Sequence, residues 1–276
     1  MLRVLVTNDD GIESPGLGAL AGVAYERGHD TIVVAPNWDS SGASASVTGV
    51  TQGRGLLVER HGWTGWAPGA VLSVNATPAL ICRSAFQGAF GRPPDVVLSG
   101  INRGANTGRD ILHSGTVGAA FTAYHQRRPA LAVSLDVVDL EYAKGDGQGA
   151  HWATAAMIAG QLFDWLAGEM RHVVLNCNVP NVPPDQVRGI RVGRLATDGA
   201  SQTAITERTG GSLPLTLGGS ADGVEDPGEV LSPAPGTLTD TALLEIGYAC
   251  VTAVVPVIED PSLELSTVLG PGILAP

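Results

Sequence analysis

At 276 residues the chain is long enough to bury a full core as one main domain with appendages. Its 44% hydrophobic content and modest charge exclude a disordered polymer, and a formal net charge of −11 excludes a broad nucleic-acid surface, which takes clustered Lys and Arg to displace counterions. No stretch reads as a transmembrane span, and Cys82, Cys177 and Cys250 lack CxxC or CxxH spacing, so buried free thiols are expected in place of a zinc site or disulfide framework.

The chain runs straight from Met1-Leu2-Arg3 into the apolar strand Val4-Leu5-Val6, with no room for a signal sequence, so a cytoplasmic protein is expected. Ser14-Pro15 opens a helix whose Leu17, Leu20, Ala21 and Ala24 recur at helical spacing until Gly28. A second strand follows at 31–35. The stretch 46–74 is β-rich and broken by glycines, with a hairpin expected around Trp63 and Trp66. Thr77-Pro78 starts a helix through about Phe86, and Asp95-Val96-Val97-Leu98 is the next buried strand, followed by a long loop to Ser114. A helix at 115–126, a strand at 130–135, a helix at 151–166 and a strand at 173–175 complete a βαβ alternation. Thr, Gly, Pro and acidic residues dominate 197–235 without a sustained period, and 243–255 returns to apolar, strand-like sequence.

Three loops fall at the carboxyl ends of predicted strands, where ligands of open α/β sheets bind. The first carries the adjacent carboxylates Asp9 and Asp10. Two like charges side by side call either for a hard divalent cation between them or for a solvated turn with a helix cap, and both readings stay open on these two residues. The second loop is Pro36-Asn37-Trp38-Asp39-Ser40-Ser41-Gly42-Ala43-Ser44, alone no more than a Ser/Gly turn. The third is Ser99-Gly100-Ile101-Asn102-Arg103-Gly104-Ala105-Asn106-Thr107-Gly108, rich in residues suited to positive φ and close approach to a ligand. It leads to His113-Ser114-Gly115-Thr116, a helix start whose N–H groups are open either to an anion or to plain capping. Carboxylates, hydroxyls, an amide and an anion-ready helix start thus converge on one sheet edge.

The runs Thr7-Asn8-Asp9-Asp10-Gly11, Ser41-Gly42-Ala43-Ser44, Ser99-Gly100-Ile101-Asn102-Arg103-Gly104 and Ser114-Gly115-Thr116-Val117-Gly118 resemble the SurE survival-protein family of metal-dependent nucleotidases. Weaker echoes continue in Thr77-Pro78-Ala79, in Asn176-Cys177-Asn178-Val179-Pro180 and in Thr239-Asp240 with Gly247-Tyr248. The resemblance implies an α/β fold, a Rossmann-like three-layer sandwich with a mainly parallel sheet and a protruding β-rich C-terminal arm. The corresponding division is a catalytic core at 1–196, an arm or hairpin insertion at 197–238, and a C-terminal strand and tail at 239–276. Hydrolysis of nucleoside 5′- and 3′-monophosphates with one divalent cation is implied as well. Its ligands would be Asp9, Asp10, Ser41 and Asn102, with Asp9 and Asp10 also the catalytic pair. Asn8, Asn106, Ser114, Gly115 and Thr116 would face the substrate phosphate. The implied partners are a small phosphorylated substrate and further copies of the chain, as a homodimer or tetramer through the arm, with no nucleic-acid polymer and no membrane.

The chemistry of these residue types is consistent with that reading. Carboxylate, hydroxyl and amide oxygens are hard ligands suited to Mg²⁺, Mn²⁺ or Ca²⁺. Spacing does not decide whether Asp9 or Asp10 is a general base or a nucleophile, and His113 reads as a packing or capping residue. Departures from the family pattern are Leu80 for an Asp, Asn37 and Ser40 where an Asp and an Arg usually precede the metal-binding serine, and Thr209-Gly210-Gly211-Ser212-Leu213-Pro214-Leu215 in place of an aromatic, basic arm segment. Trp38, Trp63 and Trp66 are the aromatic residues available to replace it. Competing classes fit less well. A phospho-receiver needs a partner lysine, and Lys144, the only lysine, lies in a glycine-rich loop. A dinucleotide-binding dehydrogenase needs GxGxxG in its first turn. A nucleoside hydrolase would release free base, and a family member turned binding protein, or a phosphatase with a non-nucleotide substrate, would differ in turnover.

Overall fold

The computed structural model describes residues 1–52, 55–62, 70–137, 149–197, 203–205, 215–217 and 237–256. Strands β1 (Arg3–Thr7), β2 (Asp30–Pro36), β5 (Val58–His61), β6 (Val71–Val74), β7 (Val96–Arg103), β8 (Ala130–Asp136), β9 (Val174–Pro180), β10 (Ile190–Val192) and β13 (Ala249–Val254) form one sheet in the order β10-β13-β9-β8-β7-β1-β2-β6-β5. The six strands from β6 to β9 are parallel, while β5 and β13 pair antiparallel with β6 and β9. Read by succession, the parallel set has the doubly wound order 3-2-1-4-5-6, so the strand order reverses between β1 and β7, which opens a crevice at their carboxyl ends. Short antiparallel pairs join β3 (Thr51–Gln52) to β4 (Gly55–Leu56) and β11 (Thr203–Ile205) to β12 (Leu215–Leu217).

The parallel strands β1, β2, β6, β8 and β9 and the start of β7 are buried and mostly apolar because both faces of the sheet are covered there, whereas the edge strands β5 and β10 are largely exposed. Val4 and Val6 enter a core with Leu17 and Leu20 of α1 (Pro15–Glu26) and Phe163 and Leu166 of α4 (Trp152–Glu169). Leu5 points the other way, to Ile81 of α2 (Pro78–Phe86) and Val117 and Ala120 of α3 (Gly115–His125). The period of two along β1 thus separates the layers of the sandwich. Among the described residues no helix is long and apolar enough to cross a membrane, and all three cysteines are buried and free.

The structure corrects several expectations. The loop expected to begin at Ser99 is strand as far as Arg103, because β7 keeps pairing with β8 across a register shift between Ser99 and Asn102. Gly100 makes that passage with φ +133°, and a Cβ there would lie 2.3 Å from the Val133 carbonyl oxygen. The remainder of the loop contains a 3₁₀ turn, Gly108–Leu112. β9 extends to Pro180, well beyond the expected end at 175. The apolar stretch at 243–255 starts as a helix, α5 (Asp240–Glu245), because Thr239 Oγ1 accepts from the Ala242 N–H as an N-cap and Gly247 ends the element with φ +82°. The hairpin expected around Trp63 and Trp66, and most of 197–238, lie outside the described residues.

Candidate active site

The crevice between β1 and β7 is built first by a tight turn. Gly11 takes φ +97°, the Ile12 N–H donates to the Pro36 carbonyl at 2.8 Å, and Asn8 Nδ2 donates to the Gly11 carbonyl at 3.0 Å. Asn8 is fully buried, so its amide braces the turn, and its Oδ1 has no hydrogen-bond partner among the described residues. The turn seats the buried Asp9 against the first turn of α3. Thr116 Oγ1 donates to Asp9 Oδ1, and a Cβ on Gly115 would lie 2.7 Å from Asp9 Oδ2. Ser114 is the N-cap, its Oγ accepting from the Val117 N–H at 3.1 Å, which leaves its O–H able to donate elsewhere. Of the two readings of this helix start, the capping one is observed, and it leaves the Ser114 hydroxyl hydrogen unused by the cap.

Asp10 is half-buried and accepts the Arg103 N–H at Oδ2, 3.2 Å away. Burial raises the pKa of Asp9 above the usual carboxylate value, outweighing the Thr116 hydrogen bond. Burial, and then the neighbouring Asp9 charge, push Asp10 up to about 7. Asn102, next to Arg103 on β7, donates Nδ2 to the Gly104 carbonyl at 2.8 Å, which orients its amide and leaves Oδ1 as its remaining polar atom.

The second loop closes over this pair. The Ser40 N–H and Oγ donate to the Asp9 carbonyl at 2.7 and 3.1 Å, so Ser40, a departure from the family pattern, braces the site. Ser41 is exposed, and its N–H and Oγ donate to Asp39 Oδ1 at 3.0 and 2.5 Å. Asp39 in turn lies 3.6 Å from the Arg103 guanidinium. Ser44 N donates to the His113 carbonyl at 3.1 Å and its Oγ to the Leu112 carbonyl at 2.6 Å, which fastens this loop to the start of α3. Exposed His113 thus contributes a backbone contact. Leu80 packs on the apolar cluster under α2, beside Gly49.

Asn106 is buried and held by strands two and three places from β1. Its N–H donates to Asn178 Oδ1 at 2.7 Å and its Nδ2 to Ser134 Oγ at 2.8 Å, while its carbonyl accepts from Asn176 and Asn178 Nδ2, each at 2.9 Å. The structure therefore brings Asp9, Gly115 and Thr116 into direct contact and sets Asp10 beside the Asn102 strand, whereas the hydrogen bonds of Asn106 run to β8 and β9. Sequence reasoning missed the roles of Asp39, Arg103, Ser134, Asn176 and Asn178. The signal for the last two was present, since two amides at i and i+2 in a buried strand must face one way and find partners.

Among the described residues no group of three or more His, Cys, Asp or Glu is placed to hold a metal ion, so a cation here depends on two carboxylates completed by neutral oxygens. That donor set fits a hard cation, and the repulsion between two buried carboxylates is what such an ion relieves. The same pair makes stability depend on pH. Asp10 has its proton affinity raised from the ordinary 3.8 to about 7 in the fold, so the folded chain holds a proton that the unfolded chain releases between those values. The contribution of Asp10 to stability is fully present below about 3.8 and is lost as pH rises through about 7. The ceiling on that loss is ~4 kcal/mol, at about 1.4 kcal/mol per tenfold of proton affinity. In chelator, the Tm gap between Asp10→Asn and wild type is expected to widen in favour of the variant from pH 5 to pH 8; a constant gap would refute the assignment.

The chain matches the family described as Survival protein SurE over residues 4–202. It is 37% identical over 256 residues to a 5'-nucleotidase SurE of Aeromonas hydrophila, covering 91% of each chain. It is 36% identical over 255 residues to a 5'/3'-nucleotidase SurE of Erwinia tasmaniensis, covering 91% of this chain and 89% of that one. The crystal structure of the SurE protein from Aquifex aeolicus shares the fold, with a TM-score of 0.71 at 23% identity over 94% of this chain and 96% of that one.

Proposed function

The chain belongs to the SurE survival-protein family, and on that premise we propose that it is a metal-dependent phosphomonoesterase that hydrolyses nucleoside 5′- or 3′-monophosphates to nucleoside and phosphate. The observation that carries this reading is the seat of Asp9, whose carboxylate is held by the Thr116 hydroxyl and the bare backbone of Gly115 at the start of α3. The anion that would bind the metal and the helix start that would bind the phosphate thereby meet in one contact.

Asp9, Asp10, Ser41 and Asn102 would hold the cation, Mg²⁺ or Mn²⁺, which would polarise the phosphoryl oxygens and lower the pKa of a bound water. The N–H groups of Gly115 and Thr116 and the Ser114 hydroxyl would take the phosphate oxygens, stabilising the charge that gathers on them as the ester bond breaks. Asp9 has little freedom to move and serves as an anchor. Asp10 is the more exposed of the two, with Oδ2 held by the Arg103 N–H, and its Oδ1 would take a proton from the attacking water. The water oxygen bonds to phosphorus, the phosphorus–oxygen ester bond breaks, and the leaving oxygen takes a proton from solvent to give the free nucleoside, while Asp10 returns to solvent the proton it took from the water.

Phosphate release from a panel of nucleoside monophosphates and an aryl phosphate, with Mg²⁺, Mn²⁺ or chelator, tests the proposal. Release that needs the cation and ranks the nucleotides above the aryl phosphate is expected. A folded protein that releases nothing under any condition would leave a binding protein in its place.

A further inference from the structure

Asp240 is fully buried, lies 132 residues from the loop it touches, and has no part in the chemistry above. Its Oδ2 accepts the Gly108 N–H at 2.8 Å, and its Oδ1 accepts the N–H groups of Ala196 and Thr241, each at 2.9 Å. Helix capping does not explain a carboxylate here, because Thr239 already caps α5. Burying an anion is costly unless it is well hydrogen-bonded, so the bonds to Gly108 and Ala196 are what the site is built around. Gly108 opens a 3₁₀ turn, where an N–H has no partner within the helix. Asp240 supplies that partner, two residues beyond Asn106, which β9 holds from the other side.

The carboxylate also stands where the chain leaves for the segment 197–236 and where it comes back. The Asp240 N–H donates to the Arg194 carbonyl at 2.8 Å, the Arg194 N–H donates to the Leu238 carbonyl at 3.1 Å, and Ala196 is bound by the side chain itself.

We propose that Asp240 is the positioning residue of the 106–108 loop, fixing its distance from the carboxylate pair and tying it to the stem of the 197–236 segment. A shift of that stem is then transmitted to the substrate side of the site through one side chain. The kinetic part rests on the phosphomonoesterase reading; the structural part does not.

The test is Asp240→Asn, read by amide hydrogen exchange and by steady-state kinetics on the full chain. In wild type, the Gly108 and Ala196 N–H groups are expected to be protected although neither lies within a helix or strand hydrogen-bond ladder. In the variant, the amide oxygen satisfies the two N–H groups of Ala196 and Thr241 and its NH₂ faces Gly108, so Gly108 alone loses protection. KM for a nucleoside monophosphate is expected to rise about tenfold with kcat within about twofold, because the loop serves binding. A merely structural role would lower apparent kcat by reducing the folded fraction and leave KM unchanged, which would overturn the proposal. So would a wild-type Gly108 that exchanges as freely as an exposed amide, a result readable even if the variant does not fold. Wild-type protein without phosphatase activity but with Gly108 protected, and freed in the variant, would reject the function while keeping the clamp.

Discussion

Asp9→Asn is expected to abolish cation-dependent phosphate release while making the metal-free protein more stable. The amide oxygen can still accept from Thr116, and the substitution adds no heavy atom beside Gly115, so the shape is nearly kept while the negative charge is removed. Polarisation by a bound cation supplies several kcal/mol to a transition state, and at about 1.4 kcal/mol per decade the activity should fall on the order of a thousandfold. Burial raises the pKa of Asp9, so the fold disfavours its charged form, and a neutral side chain of the same shape should raise the metal-free Tm. Saturating Mg²⁺ should stabilise wild type by mass action and leave the variant unchanged. Phosphatase assays with parallel thermal melts in chelator and in Mg²⁺ check both halves. Retained activity would remove Asp9 from the site, and a lower metal-free Tm would show that its charge is satisfied by the protein alone.

Legibility of the fold in the sequence follows the range of the interactions involved. The parallel strands were readable because burial on both faces leaves continuous apolar runs, as in Val4-Leu5-Val6, and α1, α2 and α3 because Pro or Ser marks their starts. The end of β7 was not, because Gly100 and Asn102 look like loop residues and only pairing with β8 makes them strand. At α5 the apolar run from 243 reads as strand, whereas the Thr239 N-cap, seen only in the fold, decides the local structure. At the site, Asp9, Asp10, Gly115 and Thr116 were legible from clustering at one sheet edge. Asp39 and Asp240 were not, because their roles depend on partners at Ser41 and Arg103 and at Gly108 and Ala196, contacts that no spacing along the chain encodes.

Gly118→Ala is expected to destabilise the protein and impair activity, against the ordinary rule that alanine favours a helix over glycine by up to about 1 kcal/mol. Gly168 in α4 shows the rule unopposed: nothing lies within 4 Å of a Cβ placed there, and Gly168→Ala should gain about 0.5–1 kcal/mol with no change in turnover. At Gly118 the Cβ would lie 2.3 Å from the Ser44 carbonyl oxygen, 2.5 Å from its carbon and 2.7 Å from the Ala45 nitrogen. These are backbone atoms, and Ser44 has a φ of 54° and is fastened to Leu112 and His113, so the loop cannot yield by rotating a side chain. It must lift from α3, and the same loop carries Ser40, which braces Asp9, and Ser41. Overpacking of this kind costs about 1–3 kcal/mol, and a displacement near 1 Å at a catalytic group costs about a hundredfold in rate. Thermal melts and phosphate release for both variants measure the two effects, and a Gly118→Ala protein as stable and active as Gly168→Ala would show that the loop is not held by this contact. Glycine in the first turn of α3 thus serves close approach: Gly115 admits the Asp9 carboxylate and Gly118 admits the loop bearing Ser41, so one helix start sets the spacing of two of the three strand-end loops.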